Sequence, residues 1–258
     1  MNPLKVSYFK LSMFEQCPLK YKYYYLDGLI KVYKKERPYL SMGESLHRAL
    51  ADFFKLDKQI RTLENLHKLL RKNWQRKGFE DEGEERTWGL KALEMLTNFY
   101  QNFDVTASPM MIEEYLEAEV DNILLCGRID RVDALKEGGY EIIDYKTGRE
   151  VLTPEEMDND LQLTIYYLLL KNSKQIEPVR LTYYFLQDAR YLSTKRTPWQ
   201  AREGLIKIKE MTEEMTTCPE FSPKRNRFCP YCDFSDICPI EKEDILGGAD
   251  EIIEDLPF

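Results

Sequence analysis

Two neighbouring segments in the middle of the chain constrain the fold most. Residues 127–133 and 142–148 contain apolar, β-branched residues typical of strands, and residues 136–139 between them are a glycine-containing turn signal. This pattern predicts a β-hairpin. Because side chains alternate faces along a strand, Asp144 and Lys146 share one face while Tyr145 takes the other. Asp130, on the first strand, can face the same site across the hairpin.

The charges on this hairpin indicate a metal site. Two carboxylates about 4 Å apart repel each other by roughly 1 to 4 kcal/mol unless a proton or a cation offsets their charge. Mg2+ or Mn2+ would remove that repulsion, polarise a phosphoryl oxygen and activate a bound water, and Lys146 would assist the nucleophile. For an isolated Asp-x-Lys triplet, however, an ordinary surface ion pair is the better interpretation.

Three further groups of residues change that balance. His47 lies in a segment with helical apolar periodicity, beside the buried face. Gln162 and Tyr166 are four residues apart on a predicted helix, so both point the same way. The C-terminal region adds a Cys-x2-Cys-x5-Cys pattern: Cys229, Cys232 and Cys238. Each group alone has an ordinary interpretation as a core histidine, a surface pair or a zinc knuckle, but their joint order is much more specific.

With these residues in this order, the chain resembles the RecB-like branch of the PD-(D/E)XK nucleases. That branch carries G-x-x-x-H, G-x-x-D-x-x-D, D-x-K and Q-x-x-x-Y motifs. The matching segments here are Gly43 to His47, Gly127 to Asp133, Asp144 to Lys146, and Gln162 to Tyr166. The resemblance covers most of the chain and implies an α/β fold of the restriction-endonuclease type, with a mixed central sheet flanked by helices and an N-terminal helical lobe.

The resemblance also implies roles for individual residues. Lys146, Asp130 and Asp144 would be catalytic. A Mg2+ or Mn2+ ion would be held by His47, Asp130, Asp144 and the backbone carbonyl of Tyr145. Gln162 and Tyr166 would position the DNA strand. Asp133 lies an odd number of residues from Asp130, so we expect it to face away from the metal unless a bulge intervenes.

The cysteines carry a second resemblance. AddB-type nuclease domains and CRISPR-associated adaptation nucleases hold a 4Fe-4S cluster through one N-terminal and three C-terminal cysteines. By that resemblance the ligands here are Cys17, Cys229, Cys232 and Cys238. Thiolates also bind zinc, so spacing alone leaves the metal open. Cys218 is a rival fourth ligand for a local zinc-type site.

We favour Cys17 as the fourth ligand because it follows a Ser12-x-x-Glu15 capping box and precedes a tyrosine-rich segment. Joining residues 17 and 229 would close a loop of more than two hundred residues. By analogy with a disulfide, that closure would restrict the unfolded chain by roughly 5 kcal/mol. We therefore expect the cluster to be a structural clasp between the two ends of the chain, away from the hydrolytic centre. Cys126 is expected to be a buried small apolar side chain.

Composition and charge bound the remaining possibilities. With 258 residues and 43% hydrophobic content, the chain can form one elaborated domain or a domain with appendages. The absence of a signal segment or a membrane-spanning run leads us to expect a cytoplasmic protein with reduced thiols. The formal net charge of -8 repels a phosphate backbone, so local basic clusters must compensate for it. These clusters lie within residues 20–37, 68–77 and 224–227.

The expected organisation follows the order of the motifs. The regions are an N-terminal helix with the first cysteine (1–30), a helical lobe with the G-x-x-x-H motif (31–110), the nuclease core (111–190), a C-terminal helix with the cysteine segment (191–240) and an acidic tail (241–258).

The leading hypothesis is a metal-dependent deoxyribonuclease that hydrolyses phosphodiester bonds. We expect an exonuclease on single-stranded DNA or DNA ends, in DNA repair, recombination or CRISPR adaptation, with helicase or CRISPR-adaptation proteins as partners. One alternative is a non-catalytic DNA-binding scaffold component of such a complex. Another is a zinc-dependent binding module.

Overall fold

A six-stranded mixed sheet between two layers of helices forms the body of the protein. The computed structural model describes residues 4–148 and 152–242. The strands are β1 (Lys5–Val6), β2 (Pro109–Val120), β3 (Ile123–Ala134), β4 (Tyr140–Lys146), β5 (Arg180–Phe185) and β6 (Arg190–Thr194). The helices are α1 (Tyr8–Gln16), α2 (Pro18–Tyr21), α3 (Ile30–Tyr33), α4 (Pro38–Lys55), α5 (Leu63–Asn73), α6 (Glu82–Asn102), α7 (Pro154–Asp158), α8 (Leu161–Lys174) and α9 (Pro198–Thr217).

Strand β3 is the centre of the sheet. It pairs antiparallel with β2 along one edge, while its other edge pairs parallel with β1 and, further along, antiparallel with β4. Strand β4 continues parallel to β5, and β5 pairs antiparallel with β6. The mixed sheet with flanking helices agrees with the α/β class predicted from the sequence.

Neighbouring residues of the central strands enter opposite cores, as strand geometry requires. Ile142 and Tyr183 pack on one face with α1, α8 and α9, whereas Ile143 and Tyr184 pack on the other with α4, α5 and α6. Both faces of the sheet are therefore covered, and the loops and strand ends between these layers are where side chains can meet solvent.

The hairpin predicted for residues 127–148 is present as β3 and β4. Its turn is closed by hydrogen bonds between Leu135 and residues 138 and 139, where Gly138 and Gly139 adopt positive φ. Cys126 is buried in β3, as expected. Two strands, β1 and β6, have no counterpart in the sequence prediction.

The N-terminal helix differs from the sequence prediction. Ser12 lies inside α1, and the helix begins instead at Ser7, whose side chain accepts a hydrogen bond from the Lys10 backbone N–H. The predicted Ser12-x-x-Glu15 capping box is therefore wrong. The helix also stops at Cys17, which is extended (φ -161°, ψ 107°), because helical geometry is disfavoured for a residue before proline and Pro18 follows.

Most of the acidic tail predicted for residues 241–258 lies outside the described residues. Within residues 4–148 and 152–242, none of the helices combines the length and apolar character needed to cross a bilayer.

Candidate functional site

Asp130 and Asp144 meet where β3 and β4 begin to separate. Ladder pairing joins Arg131 to Ile143, so the two aspartates stand next to each other at the end of the paired region. Both are buried, at 8% and 4% exposure. Asp130 Oδ2 accepts a hydrogen bond of 2.8 Å from the Tyr145 backbone N–H. The carboxylate of one strand thereby fixes the backbone of the other.

Helix α4 brings His47 to the same place. Pro38 occupies the first turn of the helix, and the apolar face of the helix is buried against α5 and α6. His47 Nδ1 lies 3.3 Å from Asp130 Oδ2, and its ring makes an edge contact with Tyr145. One turn earlier, Gly43 faces Thr147, since a Cβ at Gly43 would lie 3.4 Å from Thr147 Oγ1.

Glu113 on β2 is a further carboxylate of this site that sequence reasoning missed. Its Oε1 is 3.8 Å from His47 Nδ1, and among the described residues His47, Glu113 and Asp130 are the group whose ligand atoms all lie within 4.8 Å of one another. Glu113 has a left-handed backbone (φ 52°) inside the strand, a conformation that a long side chain rarely adopts. Its neighbour Glu114 instead pairs with Lys174 at 2.6 Å. The left-handed backbone at Glu113 and the β2–β3 register, which the sequence does not reveal, give the two glutamates different positions.

Lys146 is held on the other side of Asp144. Its Nζ lies 3.0 Å from Asp144 Oδ2 and donates to Gln162 Oε1 at 2.7 Å. Gln162 Nε2 donates to Asp144 Oδ1 at 3.2 Å and to Tyr166 Oη at 2.9 Å. Tyr183 Oη adds a 3.1 Å donation to Gln162 Oε1. Gln162 therefore hydrogen-bonds to Asp144, Lys146 and Tyr166 together.

Helix α8 supplies Gln162 and Tyr166 and lies close to β3. Asp160 caps the helix by accepting from the Leu163 N–H. At Gly127 the contact is so close that a Cβ would lie 3.1 Å from Leu169 and 3.3 Å from Tyr166. Tyr166 is buried, so its hydroxyl, bound to Gln162, is the part that reaches the site.

Asp133 lies away from this group, as its position in the strand predicts. Its carboxylate accepts hydrogen bonds from the guanidinium of Arg131, with a distance of 2.7 Å from Nε. Arg131 is almost fully buried, stacks 3.7 Å from the ring centre of Phe54 and donates to Tyr145 Oη at 3.2 Å. This buried ion pair stabilises the hairpin from a position outside the candidate metal group.

Burial and neighbouring charges set the protonation of the site. Burial opposes the charged form of His47, but Asp130 outweighs it and raises the imidazole pKa well above its usual value. Burial raises the pKa of Asp144 to about 6, against the opposing charge of Lys146. Burial also works against Asp130, yet His47 and the Tyr145 N–H keep its pKa below the usual value. Burial lowers the pKa of Lys146, but Asp144 reverses this, so the pKa is raised and the lysine stays charged.

The donor set suits a hard divalent cation. Carboxylate oxygens and one imidazole nitrogen are the donors that Mg2+ and Mn2+ accept, and the clustered negative charge favours a cation. His47, Glu113 and Asp130 have ligand atoms within 4.8 Å of one another, and Asp144 stands beside Asp130 on the neighbouring strand. The residues present therefore fit the metal that the sequence led us to expect.

A second cluster of side chains lies at the break between α1 and α2. Four cysteines line one pocket there: Cys17, Cys229, Cys232 and Cys238. The Lys224 backbone N–H donates to Cys17 Sγ at 3.4 Å, and the Asn226 N–H donates to Cys229 Sγ at 3.3 Å. Cys218 is not among the lining residues and donates to the Glu220 carbonyl at 3.3 Å.

The tyrosines around this pocket are packing residues. Tyr21 is buried against Phe14 and Phe221, and Tyr23 packs against Phe234. These contacts place the rings in the packing beside the cysteines.

The segment before α4 is tied to the cysteine segment. The Lys35 backbone N–H donates to Asp233 Oδ1 at 2.9 Å, and Lys35 Nζ donates to Ser235 Oγ at 2.7 Å. Arg37 donates to the Tyr231 carbonyl at 2.9 Å. Because Pro38 begins α4 directly afterwards, these bonds link the cysteine segment to the helix that carries His47.

A mixed sheet carrying paired aspartates, a neighbouring lysine and a histidine helix is the architecture of a metal-dependent nuclease site. Residues 5–239 match the model of the PD-(D/E)XK nuclease superfamily, and the chain belongs to that superfamily. Membership implies a metal-dependent nuclease.

The chain is also similar to individual proteins. The chain is 31% identical over 137 residues to the Gene 69 protein of Mycobacterium phage D29, an alignment that covers 51% of this chain and 48% of that protein. It is 27% identical over 224 residues to a subunit of the ATP-dependent helicase/deoxyribonuclease of Streptococcus agalactiae serotype Ia, which covers 83% of this chain and 20% of that protein. The chain thus spans about half the length of the first relative and a fifth of the second. The crystal structure of SSO0001 aligns with a TM-score of 0.43 and 17% identity, over 91% of this chain and 85% of that one.

Proposed function

We propose that the protein is a deoxyribonuclease that hydrolyses phosphodiester bonds with Mg2+ or Mn2+, acting as an exonuclease on single-stranded DNA or DNA ends. The observation that carries the proposal is the convergence of His47, Asp130 and Asp144 beside Lys146 in a chain of the PD-(D/E)XK superfamily. The name of the streptococcal relative, part of a helicase/deoxyribonuclease, supports DNA as the substrate.

In this proposal His47, Asp130, Asp144 and the Tyr145 carbonyl hold the cation, and Glu113 adds a further carboxylate beside it. When bound, the ion would polarise the scissile phosphoryl group and activate a water. The chain's own residues prepare the site for this. Asp130 fixes the Tyr145 backbone through its 2.8 Å hydrogen bond, and burial of the carboxylates excludes bulk water from around the reacting group.

Lys146 acts as a cation in this scheme. Its pKa is raised by Asp144, so it carries a proton at neutral pH and stabilises negative charge that develops on the phosphoryl oxygens and the attacking water. Gln162 holds the lysine in place at 2.7 Å. Gln162, backed by Tyr166, would exchange part of this hydrogen bonding for the DNA strand when the substrate enters.

We further propose that Cys17, Cys229, Cys232 and Cys238 hold a 4Fe-4S cluster that clasps the two ends of the chain. Their common pocket and the position of Cys218 outside it support this set of ligands. Thiolates also bind zinc, so analysis of iron, sulfide and zinc in the purified protein distinguishes the two kinds of site.

The pathway and partners belong to the same proposal. The helicase/deoxyribonuclease relative favours a helicase partner that delivers single strands, in DNA repair or recombination, and CRISPR adaptation is the other setting to test. Lys35 and Arg37 are hydrogen-bonded to the cysteine segment. In this proposal that segment and the basic residues within 20–37 would lie near the incoming strand.

The test is cleavage of labelled DNA by the purified chain with Mn2+ or Mg2+. We expect linear single strands to be degraded, circular single strands to resist, and Lys146→Ala to reduce the rate at least about a hundredfold while DNA binding remains. The control is Lys174→Ala. Lys174 is an exposed lysine at the end of α8 that pairs with Glu114 of β2, and this variant should cleave normally. Failure of the wild-type protein to cut any form of DNA would leave only the scaffold function.

A further inference from the structure

A groove of about 470 Å3 adjoins the candidate metal group on the side away from Lys146. The groove is lined by His47 and other residues of helix α4, by Asn73 of α5, by Glu113 of β2 and by Arg128 of β3. The groove is open to solvent and includes two of the residues that would lie around the cation, His47 and Glu113. It therefore has the position expected of a path for the substrate strand.

The charges on the α4 wall are compensated locally. Arg48 pairs with Glu44 in the same helix. Asp52 lies 3.8 Å from Lys55 and 3.6 Å from Lys72. These groups leave little free charge to attract a phosphate, and exposed pairs of this kind contribute little to binding.

Arg128 differs from these cations. It is exposed, and none of the described residues places a carboxylate within ion-pair distance of it. Its hydrogen bond goes from Nη1 to the Glu113 backbone carbonyl at 3.1 Å. That bond fixes the guanidinium beside the metal group while most of its five N–H donors stay free.

We infer that Arg128 binds the phosphate next to the scissile phosphate, and that the groove between α4 and β3 is the path of the substrate strand. This inference rests on the proposed nuclease function. Arg128 and Asp130 are two residues apart on one strand, so their Cα atoms are about 7 Å apart. A planar guanidinium with free donors binds phosphate oxygens in pairs and holds a strand in register without reading its bases.

The test measures the salt dependence of DNA binding. In the Lys146→Ala protein, which the proposed function predicts to bind without cutting, Kd for a labelled single strand is measured by fluorescence anisotropy across KCl concentrations. Arg128→Ala should reduce the slope of log Kd against log [KCl] by about 0.7, the value for one phosphate contact on a single strand. Arg128→Lys should retain the slope because it keeps the charge.

Arg202→Ala is the matched control, since Arg202 is an exposed arginine of α9 on the opposite face of the sheet. It should leave the slope unchanged. A circular dichroism melt of each variant shows that the comparison is between folded proteins.

A second measurement identifies the phosphate. Oligonucleotides with a single neutral methylphosphonate should bind more weakly when the modification is next to the scissile position, and Arg128→Ala should abolish that difference. Equal slopes for the Arg128→Ala protein and its Lys146→Ala parent, or the same methylphosphonate profile in both, would overturn the inference alone. Absence of DNA binding by the parent and of cleavage by wild type would overturn the proposed function as well.

Discussion

His47 holds a proton that a bound cation must displace, and Asp144 holds one below about pH 6. Asp130 raises the pKa of His47 well above its usual value, so the imidazole is charged at neutral pH in the metal-free protein. Burial raises the pKa of Asp144 to about 6. A metal ligand must be a neutral imidazole or an ionised carboxylate, so binding and proton release are coupled.

The sign of the coupling follows from these two groups. Mn2+ affinity should rise with pH, most steeply below about 6, where both His47 and Asp144 must lose a proton; above that pH only His47 must do so. Titration calorimetry in buffers of different ionisation enthalpy counts the released protons. The control is His67→Gln, because the second histidine of the chain binds Thr97 away from the site. Affinity that is constant between pH 5 and 8 would contradict this assignment.

At the residue scale, motif spacing predicts most of the candidate site but not all of it. Local alternation within β4 places Asp144 and Lys146 together, and one helical turn places Gln162 above Tyr166. Glu113 could not be predicted, because its inclusion depends on a left-handed backbone unit and on the β2–β3 register. Neither the backbone conformation nor the register can be inferred from the sequence, because Glu113 and Glu114 are adjacent and identical residues.

Among the elements, one buried ion pair joins the hairpin to two helices. Arg131 binds Asp133 and Tyr145 and stacks between Phe54 of α4 and Phe103 at the end of α6. Because Phe54 and His47 lie on the same helix, this contact helps to fix the distance between the histidine and the hairpin.

Removing one partner of this pair should be costly. Asp133→Ala leaves the Arg131 charge buried and uncompensated, and we expect the free energy of unfolding in urea to fall by about 3 to 5 kcal/mol. Glu137→Ala, which removes an exposed ion pair with Arg180, should change it by less than about 1 kcal/mol. If the double variant Arg131→Met, Asp133→Ala were as unstable as Asp133→Ala alone, the lost packing and not the unpaired charge would be the cause.

The elements themselves were predictable where local chemistry determines them. Gly138 and Gly139 form the hairpin turn at positive φ. Thr153 and Thr197 form the capping boxes that begin α7 and α9. Strand β6 was missed because the turn before it contains Ala189 at positive φ (47°) in place of glycine or asparagine. The N-terminal helix was misplaced because Pro18 interrupts a helical pattern that otherwise continues on both sides of it.

Over the whole molecule, the cysteine pocket connects residues that are far apart in the chain. Lys224 and Asn226 contact the end of α1, and Lys35 and Arg37 hold the cysteine segment from the other side. A cluster in this pocket would therefore stabilise the packing of both chain ends without touching the carboxylates.

Loss of one proposed ligand should therefore lower stability before it affects chemistry. We expect Cys232→Ala to lose iron and sulfide and to lower Tm by at least about 5 °C, while cleavage persists at low temperature. The matched control is Cys218→Ala, since this cysteine lies outside the pocket and should keep both metal content and Tm. Unchanged Tm with abolished cleavage in Cys232→Ala would show that the clasp role is wrong.

The two motif glycines have a consequence for the breadth of the site. At Gly127 an added Cβ would lie 3.1 Å from Leu169 and 3.3 Å from Tyr166, whereas at Gly43 it would meet Thr147 at an ordinary contact distance of 3.4 Å. Neither glycine has the positive φ that would call for its conformational freedom. At Gly127 the small size is therefore what matters: helix α8 can approach β3 closely, and a larger side chain there would widen the cleft between the carboxylates and the Gln162 amide.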